Sequence, residues 1–276
     1  MRRALSAPLV ILSLVCAPCV SAQAGSQPHL ILSVFGGVRG GQTLWTLPNQ
    51  PFLVQTLLGP NPGQYDTLDL AQQLVPGFVA GATASYFPGA HLGVQGEIAF
   101  LGMSLESRCA IRLYQPAEPA DLNPQLCFSL QGQTNSTSAV SLAAGVTARL
   151  APTGSMSPYL RLNGGLVTRA RGTIKLTGTY RDNTNRVSRA VVVADDAPNR
   201  SAAGLTLAAG LAIALGSGYQ LRLEGRDVYT RLDRVTGAAD PSAGTLRPPH
   251  SPRAVHNLVF SMALDVILEQ KRGRRY

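Results

Sequence analysis

The stretch AVSLAAGVTARLAP, residues 139 to 152, sets the folding period of this chain. Val140, Leu142, Ala144, Val146, Ala148 and Leu150 alternate with Ala139, Ser141, Ala143, Gly145, Thr147 and Arg149. A helix would scatter the larger apolar side chains around its axis and carry Gly145 as an uncompensated cost. A strand collects them on one face. Seven further stretches repeat the alternation, at 29–39, 77–87, 91–103, 159–171, 204–216, 219–229 and 256–268. No proline interrupts any of them, as a hydrogen-bonded ladder requires.

In each stretch one face is apolar. Leu30, Leu32, Val34 and Val38 share a face in the first, and Leu258, Phe260, Met262, Leu264, Val266 and Leu268 in the last. The opposite face is mostly Gly, Ala, Ser and Thr with a few charges. Connections alternate in length: short after the second, fourth and sixth stretches, and long, polar and rich in Pro, Asn and Gly after the first, third, fifth and seventh. Stretches of this length cross a bilayer when tilted, and short turns opposite long loops are how outer-membrane barrels are connected. The fold class expected is all-β: an eight-stranded antiparallel up-and-down transmembrane β-barrel with short periplasmic turns and long extracellular loops.

A soluble ligand-carrying barrel is the rival architecture. It would keep its apolar face inside and show water a charged exterior. Small residues suit the crowded interior of a narrow barrel better than a wet exterior, and lysine is nearly absent from the strands. The aromatics Tyr86, Phe87, Tyr159 and Tyr219 fall at the three short turns, where a headgroup-level girdle belongs, although the parity of Tyr159 points inward.

The ends read differently. Arg2 and Arg3 precede the apolar run APLVILSLVCAPCV, and small residues offer cleavage after Ala22 or Ala24, so residues 1–24 read as a signal peptide. Val15 and Pro18 precede Cys16 and Cys19 and argue against lipidation, which favours a small residue there. Residues 25–268 read as the barrel and 269–276, EQKRGRRY, as a basic periplasmic tail. Cleavage leaves Cys109 and Cys127 of the four cysteines. In an exported chain these most simply form a disulfide closing a surface loop, worth about 3 kcal/mol in the chain-entropy model. A free or metal-binding pair is the alternative, but His29, His91, His250 and His256 are scattered, so no metal site is expected.

The pattern as a whole, over residues 29 to 268, resembles the small eight-stranded outer-membrane β-barrel family of Gram-negative bacteria. The resemblance rests on architecture and the signal rather than a residue motif, so it transfers no functional residues. It implies a cell outer membrane location, both termini in the periplasm, loops at the cell surface and contact with the barrel-insertion machinery. Such barrels often end on an aromatic of the last strand. Here Tyr276 lies beyond it, leaving Phe260, Val266 and Leu268 as the candidate insertion signal.

Charge marks the candidate sites. The chain carries 24 Lys and Arg against 15 Asp and Glu, a formal net charge of +9. Without a basic helix or an aromatic nucleic-acid motif, nucleic acid is not an expected partner. Outer-membrane lipids, including anionic lipopolysaccharide, are. Parity places Glu97, Arg149, Arg161, Arg222, Glu224 and Asp265 inside the barrel, where charges must pair or be hydrated, and predicts a lumen network among them. Its expected duty is to fill and stiffen the barrel rather than to gate a porin-like channel. Arg39, Arg169, Arg171 and Arg226 read as an upper basic rim, anchoring loops or holding lipid phosphates or a surface ligand.

No catalytic residue and no cofactor is expected. Lipid-modifying enzymes are also built on small barrels, and His256 with nearby Ser251 is the only pair suggesting one, with no carboxylate in sequence view to orient the histidine. Asp227 falls on the lipid-facing parity, which leaves two readings: a bulge turns it inward, or it lies above the hydrocarbon. The expected function is structural or surface interaction through four long loops.

Overall fold

The computed structural model describes residues 29–113, 121–169, 174–181, 184–195, 201–216, 218–235 and 249–269. The expected signal peptide and all but the first residue of the expected tail lie outside them. Strands β1 (His29–Arg39), β4 (Gly77–Phe87), β5 (Leu92–Arg112), β6 (Thr134–Arg149), β7 (Met156–Arg169), β10 (Ser201–Gly216), β11 (Tyr219–Val235) and β12 (His250–Glu269) form an antiparallel ring in that order. The ring closes where β1 pairs with β12, from His29 opposite Glu269 to Arg39 opposite Val259. It is the up-and-down barrel that the alternation implies.

The faces sort as the small and large residues require. On β1, Val34 is 70% exposed and Val38 63%, while Ile31, Ser33, Phe35 and Arg39 are buried. On β12, Phe260 is 66% exposed and Val259 1%. The outer wall is therefore apolar and the inner wall is packed. Inward glycines make room for large lumen side chains: a Cβ on Gly210 would overlap the Tyr159 hydroxyl, and one on Gly81 the Phe35 ring. Eleven residues, the length of β1, span roughly 25 Å of wall height at about 3.3 Å per residue and a tilt near 40°.

Several strands run past their expected ends. β5 continues to Arg112, β11 to Val235, and β12 begins at His250. The first long connection is not a loop but a hairpin, β2 (Gln42–Thr56) and β3 (Gly59–Val75), with β3 pairing onto upper β5 from Thr67–Arg112 to Val75–Ser104. The second holds the helix α1 (Asn123–Leu130), and the third a separate hairpin, β8 (Ile174–Arg181) with β9 (Val187–Asp195). Residues 236–248, most of the fourth, lie outside the described set.

These pieces share a core of their own. Trp45, Leu47, Phe52, Leu68, Leu70, Leu126, Leu130, Leu176, Val192 and Val193 are buried together with Cys109 and Cys127. Cys109 and Cys127 form a disulfide, tying α1 to upper β5. Inward parity carries from Glu97 and Ala99 up β5 to Ser107 and Cys109, all buried. The core thus lies on the lumen side of the extended wall, as a cap at the mouth. A bulge in β2 is pinned at Asn49, whose φ of 56° is left-handed: its N–H donates to Asp69 Oδ1 at 2.8 Å, and Arg112 Nη2 donates to both Asn49 Oδ1 (3.2 Å) and Asp69 Oδ2 (3.0 Å).

Two predictions follow from the cap. Cys109→Ser should destabilise it by about 3 kcal/mol, the cost of reopening a cross-link 18 residues apart, and speed protease cleavage between residues 109 and 134 while gel migration of the unheated barrel stays unchanged. The backbone N–H of Asn49, then Arg112, holds the Asp69 carboxyl below its usual range. A depressed carboxylate stabilises the fold above its unfolded pKa of about 3.9 and loses that contribution as pH falls through the folded value. Hydrogen exchange at Asn49 should therefore rise in acid below pH ~4, and Asp69→Asn should flatten that dependence.

Candidate functional site

The lumen is occupied by charge. β5 and β11 stand on opposite walls of the ring, with β7 a quarter-turn from each. Arg161 of β7 reaches both: Nη1 lies 2.9 Å from Glu97 Oε2 and Nη2 2.6 Å from Glu224 Oε1. Arg226 of β11 repeats the bridge, with Nη1 2.7 Å from Glu97 Oε1 and Nε 3.3 Å from Glu224 Oε1. Tyr159 donates to Glu224 Oε2 at 2.8 Å. Two arginines and two glutamates thus make a closed square of ion pairs across the bore. All four side chains are under 7% exposed, and Arg161 is at 1%.

Around this square lie shorter links. Arg222 pairs with Asp265 at 3.3 Å and donates to Thr83 Oγ1 at 3.2 Å. Arg226 Nη2 donates to Ser261 at 3.2 Å, and its guanidinium lies 4.5 Å from the Phe35 ring centre. Gln95 donates to Asn163 at 2.6 Å and accepts from Thr147 at 2.9 Å. Buried ions need this density of partners, because desolvation costs several kcal/mol per ion and only good geometry offsets it.

Five of the six residues expected in the network, Glu97, Arg161, Arg222, Glu224 and Asp265, make ion pairs with one another or with Arg226. The sixth, Arg149, does not. It ends β6 at the lower end of the bore and lies 4.3 Å over the Phe87 ring with Nη1 3.1 Å from His29 Nε2. His29 stacks on the same ring at 5.2 Å, forming an aromatic floor. Arg226 is not on the upper rim: β11 extends nine residues beyond it, which makes position 226 mid-wall.

The rest of the expected rim divides. Arg39 is 3% exposed and spends its guanidinium on the Val75 and Gly40 carbonyls, closing the junction where β3 passes into β4. The side chain of Arg169 and all of Arg171 lie outside the described residues. Of the expected girdle, Tyr86 and Tyr219 face out at 47% and 52% exposure, Tyr159 is buried in the lumen as its parity indicates, and Phe87 turns inward as well.

One feature on the outer wall was missed. Asp227 is not turned inward by a bulge, since β11 keeps unbroken register through it with both β10 and β12. It stays on the outer face between Leu207 and Leu258, and its Oδ2 lies 2.7 Å from His256 Nδ1. The carboxylate that sequence could not supply to His256 is this one, two strand positions away on the diagonal. Ser251 stands five positions further along on the opposite parity, away from the pair. Among the described residues, no group of three or more His, Cys, Asp or Glu is placed to hold a metal ion.

No protein-family model matches the chain, and a search of curated proteins finds no match. Among solved structures it is similar to the outer membrane protein OprG from Pseudomonas aeruginosa, at 12% identity and a TM-score of 0.42, over 89% of this chain and 97% of that one. It is also similar to the outer membrane protein AlkL in DMPC lipid bilayers, at 11% identity and a TM-score of 0.39, over 99% of each chain. Neisserial surface protein A matches at 11% identity and a TM-score of 0.38, over 87% of this chain and 99% of that one.

The square of ion pairs makes a stability prediction. Glu224→Gln removes the acceptor shared by Arg161, Arg226 and Tyr159 and leaves buried positive charge unbalanced. It should cost about 3–5 kcal/mol of unfolding free energy in detergent, read from urea titration. Arg222→Gln, at a single 3.3 Å pair, should cost less.

Proposed function

We propose that this chain is an integral outer-membrane barrel with a closed lumen and a structured surface cap, serving a structural or surface-interaction role. The observation that carries the reading is the inversion of its two walls. The outside bears Val34, Leu207 and Phe260 at more than 60% exposure, and the inside holds Arg161 at 1% side-chain exposure. Exposed apolar surface of this extent is unfavourable in water and favourable against hydrocarbon. In hydrocarbon every backbone polar group needs an internal partner, and a ring closed at β1–β12 leaves no edge.

A soluble carrier of a ligand needs an apolar cavity where this barrel has ion pairs. The cap, with its disulfide and its own core, suits presentation of a durable surface at the cell exterior. Residues 1–24 are proposed as the export signal, which predicts a mature mass beginning at residue 23 or 25. No catalytic step is assigned.

Membrane-extracted protein should migrate faster unheated than heated, the signature of a closed barrel, and should come from the outer-membrane fraction. In planar bilayers the wild type should give no stepwise conductance, whereas the triple variant E97A, R161A and E224A should. Release into the periplasm without detergent would replace this reading with the soluble carrier. Stepwise conductance in the wild type would overturn the closed lumen while leaving the membrane barrel in place.

A further inference from the structure

We infer that the free edge of β9 is a docking site for an extended, acidic protein segment, which adds to the β8–β9 hairpin as a third strand. That this edge faces the cell exterior rests on the surface-interaction reading above. The site itself follows from the direction of the backbone groups. β8 and β9 pair regularly from Arg181 opposite Val187 to Thr177 opposite Val191. On β8, the N–H of Thr179 donates to Ser129 Oγ at 2.7 Å and that of Arg181 to Gln125 Oε1 at 3.3 Å. Both acceptors belong to α1, so these N–H groups point away from β9.

In an antiparallel ladder, opposed residues either exchange hydrogen bonds or both turn their backbone groups outward, in alternation. Val187, Arg189 and Val191, which oppose Arg181, Thr179 and Thr177, therefore turn their N–H and C=O groups outward on the side remote from α1. Among the described residues, no further backbone hydrogen bond reaches them. One edge of the hairpin is covered by α1 and the other is open. Open edges are commonly blunted by a proline, a bulge or a charge. From Val187 to Val191 there is no proline, and the bulge falls beyond, where Leu176 meets Val193. What remains is one charge, Arg189, and it sets what can pair there.

The side chains choose the occupant. Gly178 lies against Leu126, and Tyr180 and Ala190 pack on the cap core, so that face of the hairpin is covered. Arg189 stands on the other face, exposed, between Val187 at 60% exposure and half-buried Val191. Arg181, opposite Val187, is exposed there too and donates to Asn185 Oδ1 at 2.9 Å. Among the described residues, neither arginine pairs with a carboxylate. A second copy of the chain is disfavoured, because two β9 edges paired about Arg189 would oppose like charges. A segment with Asp or Glu opposite Arg189, and apolar residues opposite Val187 and Val191, matches all three positions. Its main chain supplies the hydrogen bonds and its alternate side chains the selectivity.

The test uses the full chain in detergent micelles with two blocked peptides, TVTETVT and TVTKTVT, which differ only in the central charge. The wild type should hold the glutamate peptide about fivefold more tightly, the difference between an opposite-charge and a like-charge cross-strand pair. Amide exchange should slow at Val187, Arg189 and Val191 and stay unchanged at Ser188 and Ala190, whose N–H groups already point to β8. Arg189→Glu, at an exposed position, should invert the preference. Binding without slowed exchange at the three alternate amides would mean that the arginines attract an anion without strand addition, and would overturn the site. So would no binding, or a preference that survives Arg189→Glu. Capture of the labelled glutamate peptide on intact cells separates the two readings. Binding to the extracted protein but not to cells sinks the exterior position of the cap and leaves the edge site standing.

Discussion

Everything in this molecule depends on closing a ring of hydrogen bonds. A strand that faces hydrocarbon has no water to satisfy its amides, so each must pair on both sides. The β1–β12 ladder, eleven pairs long, removes the last free edge of the lower wall. Once closed, an eight-stranded ring has a bore only as wide as the side chains that fill it. The small inward residues, and Gly81 and Gly210 in particular, follow from that diameter, because Phe35 and Tyr159 must cross the space in front of them.

The charges in the bore are a consequence of the same geometry. An apolar filling would give the lumen nothing to choose between registers, whereas Arg161 pairs with Glu97 and Glu224 only when β5, β7 and β11 are correctly staggered. Two arginines shared between two glutamates leave each ion with at least two partners. That arrangement offsets burial better than isolated pairs and makes the loss of any one member costly.

Above the apolar belt the constraint changes. There the chain is in water, and the wall is sustained by an ordinary hydrophobic core. β2, β3, α1 and the β8–β9 hairpin bury Trp45, Leu68, Leu126 and Val193 against the inner face of upper β5. The disulfide cross-links this core by joining the middle of α1 to upper β5. The molecule thus has a lower half held by lipid and lumen charge and an upper half held like a small soluble domain.

The sequence by itself determined the eight lower strands, their faces and the inward parity of Glu97, Arg161, Arg222, Glu224 and Asp265, and it made a Cys109–Cys127 bridge the simplest pairing. Period-two alternation is a local signal, and a narrow ring imposes it at every position. The cap was less legible. TLDLAQQL alternates as plainly as the barrel strands, but prolines and bulges break the pattern of its partner β2, and a core assembled from three separate connections has no local signature. Only the tertiary structure decided that Arg226 belongs to the central square and Arg149 to the aromatic floor, because side-chain height depends on strand stagger, which parity does not encode. It also decided that Asp227 meets His256. Those residues are 29 positions apart in the chain, and only the register between β11 and β12 sets them on one diagonal.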